Sequence, residues 1–212
     1  MRVLIFGDSI TQGFWDTEGG WVTRLRKHYD EMQAKTGKFY TKPEVFNLGI
    51  SGDITKDVLN RLDVETKARK WPGEKLSFIF SMGANDTVYR GEEFESTPKK
   101  YRQELEQICR IASQYSDWIL FLGLTPVVDE RVQPMKWSST GKCYSNDRIW
   151  EFEKELRDFC AENHVAHLPL FEILKEKQAT TELMPDGAHP NNEGHELIFK
   201  LVQPALDELL NT

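Results

Sequence analysis

An α/β fold built on a mostly parallel sheet is what this sequence predicts, and three observations carry the prediction. Five short runs, at 2–6, 44–48, 76–81, 118–124 and 164–168, are rich in apolar and strand-forming residues. Several are almost continuously apolar, as strands buried on both faces should be. Between them lie stretches with apolar residues at helical spacing. Strands alternating with helices imply βαβ units, right-handed crossovers and a sheet covered on both sides.

Each element has its own signal. RVLIF at 2–6 is the first strand and runs directly into GDSITQG at 7–13. Val22, Leu25, Tyr29 and Met32 mark an amphipathic helix. EVFNL at 44–48 is the second strand and is followed by GISGD; LSFIFS at 76–81 is the third and is followed, after Met82, by GAND. Thr97 as N-cap and Pro98 at the first helical position begin a helix whose apolar face is Tyr101, Leu105, Ile108, Ala112 and Tyr115. After the strand at 118–124, Ser145 or Asn146 caps a helix carrying Ile149, Phe152, Leu156 and Phe159. The strand at 164–168 is the weakest of the five. Leu197, Leu201 and Leu209 form the stripe of a last helix that Pro204 is expected to kink or interrupt.

The bulk composition narrows the class. At 212 residues with no linker, repeat or low-complexity tract, residues 1–212 read as a single domain. A hydrophobic content of 39% and a charged content of 29% suit an ordinary soluble protein. The net charge of −7 offers no basic excess to neutralise phosphates, so nucleic acid is not expected as a partner. No stretch reaches the ~20 apolar residues of a bilayer span, and the apolar run after Arg2 is too short for a secretory signal. Cys109, Cys143 and Cys160 lack CxxC spacing and fit a reducing cytoplasm better than a disulfide framework. The first and last are expected on buried helix faces and Cys143 in a loop. The expected location is cytoplasmic.

In an open parallel sheet, ligands bind beyond the carboxyl ends of the strands. Ser9, the Gly49–Gly52 loop and the Gly83–Asp86 loop follow the first three strands, so three small, polar loops arrive at one edge. A serine cannot attack a carbonyl unaided; it needs a base, and the base needs a group that holds its tautomer. His189 in DGAHP supplies the base and Asp186 the orienting carboxylate. His28, His164, His167 and His195 read as structural. Acyl chemistry also needs donors for the oxyanion, for which the Ser9 and Gly52 backbone N–H groups and the Asn85 side chain are candidates. Glycine at 52 is read as allowing close backbone approach.

These four blocks, FGDSITQG, NLGISGD, GAND and DGAHP, resemble those of the SGNH (GDSL-type) hydrolases, in the family's order and over most of the chain. The resemblance implies a three-layer α/β/α sandwich with a five-stranded, mostly parallel, flavodoxin-like sheet. It implies a catalytic triad of Ser9, Asp186 and His189, and an oxyanion hole of Ser9, Gly52 and Asn85. It further implies a cofactor-free, metal-free esterase or lipase acting as an acylhydrolase through an acyl-enzyme. The partner so implied is a small-molecule ester or thioester, O-acetyl substrates included, with a homo-oligomer left open. Family members differ in substrate, and some transfer acyl groups instead.

Two other readings stay open at this stage. One is a metal-dependent phosphoesterase using Asp8, Asn85, Asp86, Asp186 and His189, which wants more ligands at close spacing. The other is a phosphate- or nucleotide-binding module, for which the first loop lacks the GxxxxGK[ST] arrangement. Substrate choice is expected from 126–144, the one long segment without periodicity. Its Val127, Val128, Met135, Trp137 and Tyr144, with Trp15 after the nucleophile, are candidate substrate-binding residues, either lining a pocket or tethering the loop.

Overall fold

β1 (Arg2–Gly7) is buried along its whole length, and its alternating side chains divide the interior in two. Leu4 and Phe6 enter one apolar cluster, Val3 and Ile5 the other. The structure, a computed structural model, describes residues 1–38 and 41–210. After β1 come α1 (Ser9–Gln12), α2 (Gly20–Thr36), β2 (Glu44–Gly49), α3 (Thr55–Arg69) and β3 (Leu76–Ser81). A small hairpin, β4 (Tyr89–Arg90) and β5 (Glu93–Phe94), precedes α4 (Pro98–Ala112), β6 (Ile119–Leu122) and α5 (Asn146–Glu162). The chain then runs through β7 (Ala166–Leu168), α6 (Phe171–Gln178) and α7 (Asn192–Leu210).

The five expected strands form one sheet in the order β2-β1-β3-β6-β7, with every neighbouring pair parallel. On one face Phe6, Phe78, Phe80 and Phe121 pack ring against ring, with centroids 5.0 to 6.5 Å apart between neighbours. Val58 and Leu62 of α3, Leu105 and Ile108 of α4, and Phe152 and Leu156 of α5 close over them. On the other face Ile79, Leu120 and Leu122 meet Trp21 and Leu25 of α2 and Ile198 and Val202 of α7. The result is the three-layer α/β/α sandwich. Because β1 lies between β2 and β3, the chain leaves it in one direction and returns on its other side. That reversal opens a crevice at the carboxyl ends of β1 and β3.

Caps follow the sequence. Thr97 accepts from the Lys100 N–H with Pro98 behind it, and Ser145, rather than Asn146, caps α5 by accepting from Arg148. Tyr115 falls beyond the end of α4 and donates its hydroxyl to Asp63. Two helices have no counterpart among the sequence expectations, and for the last helix the interruption at Pro204 and the apolar stripe need correction. α3 and α6 carry no marked periodicity: α3 buries a narrow face of Val58, Leu59, Leu62 and Thr66 amid charges, and α6 is only eight residues long. α7 continues through Pro204. That proline is exposed, so the Lys200 carbonyl it leaves unpaired can turn to solvent. The buried stripe of α7 is Ile198, Val202 and Leu206, while Leu197 and Leu201 are half-buried at its margin; the Leu209 side chain lies outside the described residues.

Cys160 is buried, Cys109 and Cys143 are half-buried, and all three are free thiols. Among the described residues no helix is long and apolar enough to cross a membrane.

Candidate active site

The crevice is built from the ends of β1, β2 and β3. Gly7 closes β1 where a Cβ would lie 2.1 Å from Thr11 Oγ1 and 2.3 Å from the Ser81 carbonyl, so only glycine lets the chain turn there. Asp8 then caps α1, its Oδ1 accepting from the Ile10 N–H at 2.9 Å. Ser9 is the first residue of that helix, a position whose N–H has no intrahelical acceptor. Although buried, its hydroxyl lies 2.9 Å from His189 Nε2.

His189 completes a relay. Its Nδ1 is 2.6 Å from Asp186 Oδ2. An ionised carboxylate only accepts, so Nδ1 carries the proton and Nε2 of the neutral ring is free to accept from Ser9. Asp186 Oδ1 accepts from the Ala188 and His189 backbone N–H groups at 2.9 and 2.8 Å. Burial alone would raise this carboxyl's pKa, but the His189 side chain and those N–H groups hold it well below the usual carboxylate range. The imidazole is flanked by aromatic rings, Phe14 at 4.8 Å and Trp137 at 5.9 Å between centroids.

The loop after β2 turns on a glycine that no protein atom crowds. A Cβ on Gly52 would meet nothing within 4 Å. What Gly52 supplies is a left-handed backbone, φ +89°. Close approach of chain to chain occurs at Gly49, where a Cβ would lie 2.4 Å from the Gln12 N. Asn85 begins a single 3-10 turn after β3. Its Nδ2 donates to the Asp53 carbonyl at 3.1 Å, and its Oδ1 accepts from the Tyr144 hydroxyl at 2.9 Å. A carbonyl can only accept, so the amide nitrogen must face Asp53, and its second N–H is left for a ligand. Asp86 next to it accepts from both the N–H and the hydroxyl of Thr55, tying the Gly52 loop to the Asn85 turn. Burial pushes Asp86 up to about 7 despite these donors.

Ser9, Asp186 and His189 are therefore directly linked, and Asn85 is tied to the loop that carries Gly52. The candidate substrate residues separate. Trp15 and Trp137 are exposed beside the relay. Val127 and Met135 are buried in the larger core cluster with Val132 and anchor the 126–144 segment. Val128 is partly buried against the other cluster. Tyr144 is buried, and its hydroxyl serves Asn85. The metal-ligand set does not converge either, since Asp8 is committed to the α1 cap, Asp86 to Thr55 and Asp186 to His189. The hydrogen bonds of Asp86 to Thr55 and of Tyr144 to Asn85 carry no sequence signal, because each acts across a contact between segments far apart in the chain.

Asp8 gives a pH-dependent stability. Burial pushes its carboxyl from an ordinary 3.8 to about 6, against the Ile10 N–H and the His189 charge. Between those values the folded protein holds a proton that the unfolded chain has lost, so stability falls as pH rises through this window. Asp8→Asn keeps the cap and removes the buried charge. It is expected to raise stability at neutral pH by about 3 kcal/mol, a two-unit shift at roughly 1.36 kcal/mol each, and to flatten the profile from pH 4 to 6. Denaturant midpoints across that range check it; parallel profiles for the two proteins would refute the assignment.

Comparison with known proteins shows the family and the fold. The GDSL-like lipase/acylhydrolase family profile matches residues 5–197. The chain is 25% identical to the mouse (Mus musculus) isoamyl acetate-hydrolyzing esterase 1 homolog, covering 100% of this chain and 83% of that protein. It is similar in structure to a lipase/acylhydrolase from Enterococcus faecalis, with a TM-score of 0.72 and 24% identity over 97% of this chain and 94% of that one. An acetyl xylan esterase also superposes with a TM-score of 0.72, at 18% identity over 97% of this chain and 99% of that one.

Proposed function

The chain belongs to the GDSL-like lipase/acylhydrolase family and is a carboxylic ester hydrolase, and from that premise we propose that Ser9 is its nucleophile, His189 its general base and Asp186 the orienting carboxylate. The observation that carries this reading is the unbroken path from Ser9 Oγ through both ring nitrogens of His189 to Asp186.

In this reaction Ser9 Oγ attacks the ester carbonyl carbon and its proton passes to His189 Nε2. The charge that develops on the carbonyl oxygen meets the N–H groups of Ser9 and Gly52 and the free N–H of Asn85. Collapse of the tetrahedral intermediate expels the alcohol, which takes the proton from Nε2, and leaves an acyl group on Ser9. Water, deprotonated by His189, then releases the acid. Asp186, held ionised by its donors, stabilises the imidazolium in both halves. No step calls for a metal or cofactor.

The preferred substrate in this reading is a small ester. Phe14, Trp15, Ile50 and Trp137 are exposed on segments that reach the crevice and suit an apolar alcohol or short acyl group. Isoamyl acetate, named for the mammalian relatives, is an ester of that type. We also read residues 1–212 as one catalytic domain, because the sheet and both helical layers draw on the chain from β1 to α7. The three free thiols support a cytoplasmic location.

A hydrolysis panel tests the function, with acyl chains of graded length on alkyl ester, thioester and acetylated sugar backbones. Short alkyl esters are expected to turn over fastest, with activity retained in EDTA. Preference for thioesters or acetylated sugars would replace the substrate assignment. Activity that vanishes in EDTA and returns with Mn²⁺ would overturn the serine mechanism.

A further inference from the structure

Trp15 is 54% exposed, yet its indole N–H is engaged: Nε1 donates to Asp186 Oδ2 at 2.9 Å. This is the same oxygen that accepts from His189 Nδ1. Trp15 also holds a left-handed backbone, φ +66°, which a bulky residue adopts only against steric resistance. Its neighbours keep it there. The Phe14 carbonyl accepts from His195 Nε2 at 3.0 Å, while His195 Nδ1 accepts from the Trp21 N–H. Burial lowers the His195 pKa and so favours the neutral ring this pairing requires. On the other side Asp16 is clamped by Arg24 and the Gly20 N–H, and Thr17 exchanges two hydrogen bonds with Asn192 at the start of α7.

Resting on the catalytic reading above, we propose that Trp15 is a positioning residue, whose indole N–H orients the Asp186 carboxylate toward His189. Backbone N–H groups from Ala188 and His189 hold Oδ1, and the indole fixes the remaining rotation by binding Oδ2 from outside the DGAHP loop. Two donors then share Oδ2, so the indole also draws charge away from the imidazole contact. Its removal leaves a carboxylate less firmly aimed but better able to stabilise an imidazolium. The other titratable groups near the pair are Asp8, Tyr144, His195 and Arg131, which donates to the Met184 and Pro185 carbonyls. None is changed by substituting Trp15.

Trp15→Phe keeps an aromatic ring and deletes the donor. With a short-chain ester, kcat is expected to fall about three- to tenfold, the scale of one hydrogen bond, with KM within about twofold. The acid limb of kcat/KM is expected to move to higher pH, and the deshielded His189 Nδ1–H proton resonance to shift. A rise in KM with kcat, acid limb and resonance unchanged would make Trp15 only a wall of the substrate site and overturn the proposal. The resonance is read without substrate. If the wild type proved unable to cleave esters, an unshifted resonance would still refute the Trp15–Asp186 contact, and a shifted one would uphold it. Trp15→Leu, which also removes the ring, should reproduce the shifts in acid limb and resonance; failure to do so would overturn the proposal as well.

Discussion

Ser9→Ala should fold normally and lose ester hydrolysis by roughly 10⁴–10⁶-fold, the scale on which removing the nucleophile of a serine triad acts. The folded state depends little on the hydroxyl, which bonds to His189. The Asp8 cap and the Gly7 turn that shape the loop are untouched. The loss should fall on kcat, because the acyl-enzyme cannot form. A fluorophosphonate probe should label the wild type on Ser9 and leave the variant unlabelled, as read by peptide mass. A variant that keeps its rate, or labelling at another residue, would remove Ser9 from the mechanism and leave the Ser9–His189 contact a structural one.

Asn85→Ala should cost about 10²–10³ in kcat, roughly 3–4 kcal/mol, with KM little changed. The oxyanion carries full charge only near the transition state, so a donor aimed at it contributes there and hardly at all to substrate binding. The arrangement around Asn85 adds a graded control. Tyr144 donates to Asn85 Oδ1 and Asp53 accepts from Nδ2, so the amide is held from two sides. Tyr144→Phe removes one restraint and keeps the donor. It should lower kcat by about tenfold or less, the net value of one hydrogen bond. Purified variants compared by steady-state kinetics and thermal melts decide the matter. If Asn85→Ala lowers the melting temperature and keeps its rate per folded molecule, Asn85 is a turn residue and the oxyanion is stabilised elsewhere.

Much of this architecture was legible in the sequence because its signals are local. A strand buried on both faces is apolar along most of its length, and β1 and β3 read that way. Caps such as Thr97 and Ser145 act within three residues of themselves. A turn needing glycine shows glycine. The candidate triad and oxyanion residues were legible for the same reason, since each sits in a short polar block directly after a strand or before a helix. α3 escaped because a helix that buries a narrow face among charges has little periodicity, and the α7 stripe was misplaced by one residue because apolar side chains lie on both sides of the true face. Only the tertiary structure decided which polar atoms meet across the fold. Between lining a pocket and tethering the loop, packing seats Val127 and Met135 in the core, makes Tyr144 a partner of Asn85, and gives Trp15 a carboxylate 171 positions away. Such pairings depend on distances set by packing between layers, and hydrogen bonding is satisfied wherever the fold brings donor and acceptor together, so residue type alone does not encode them.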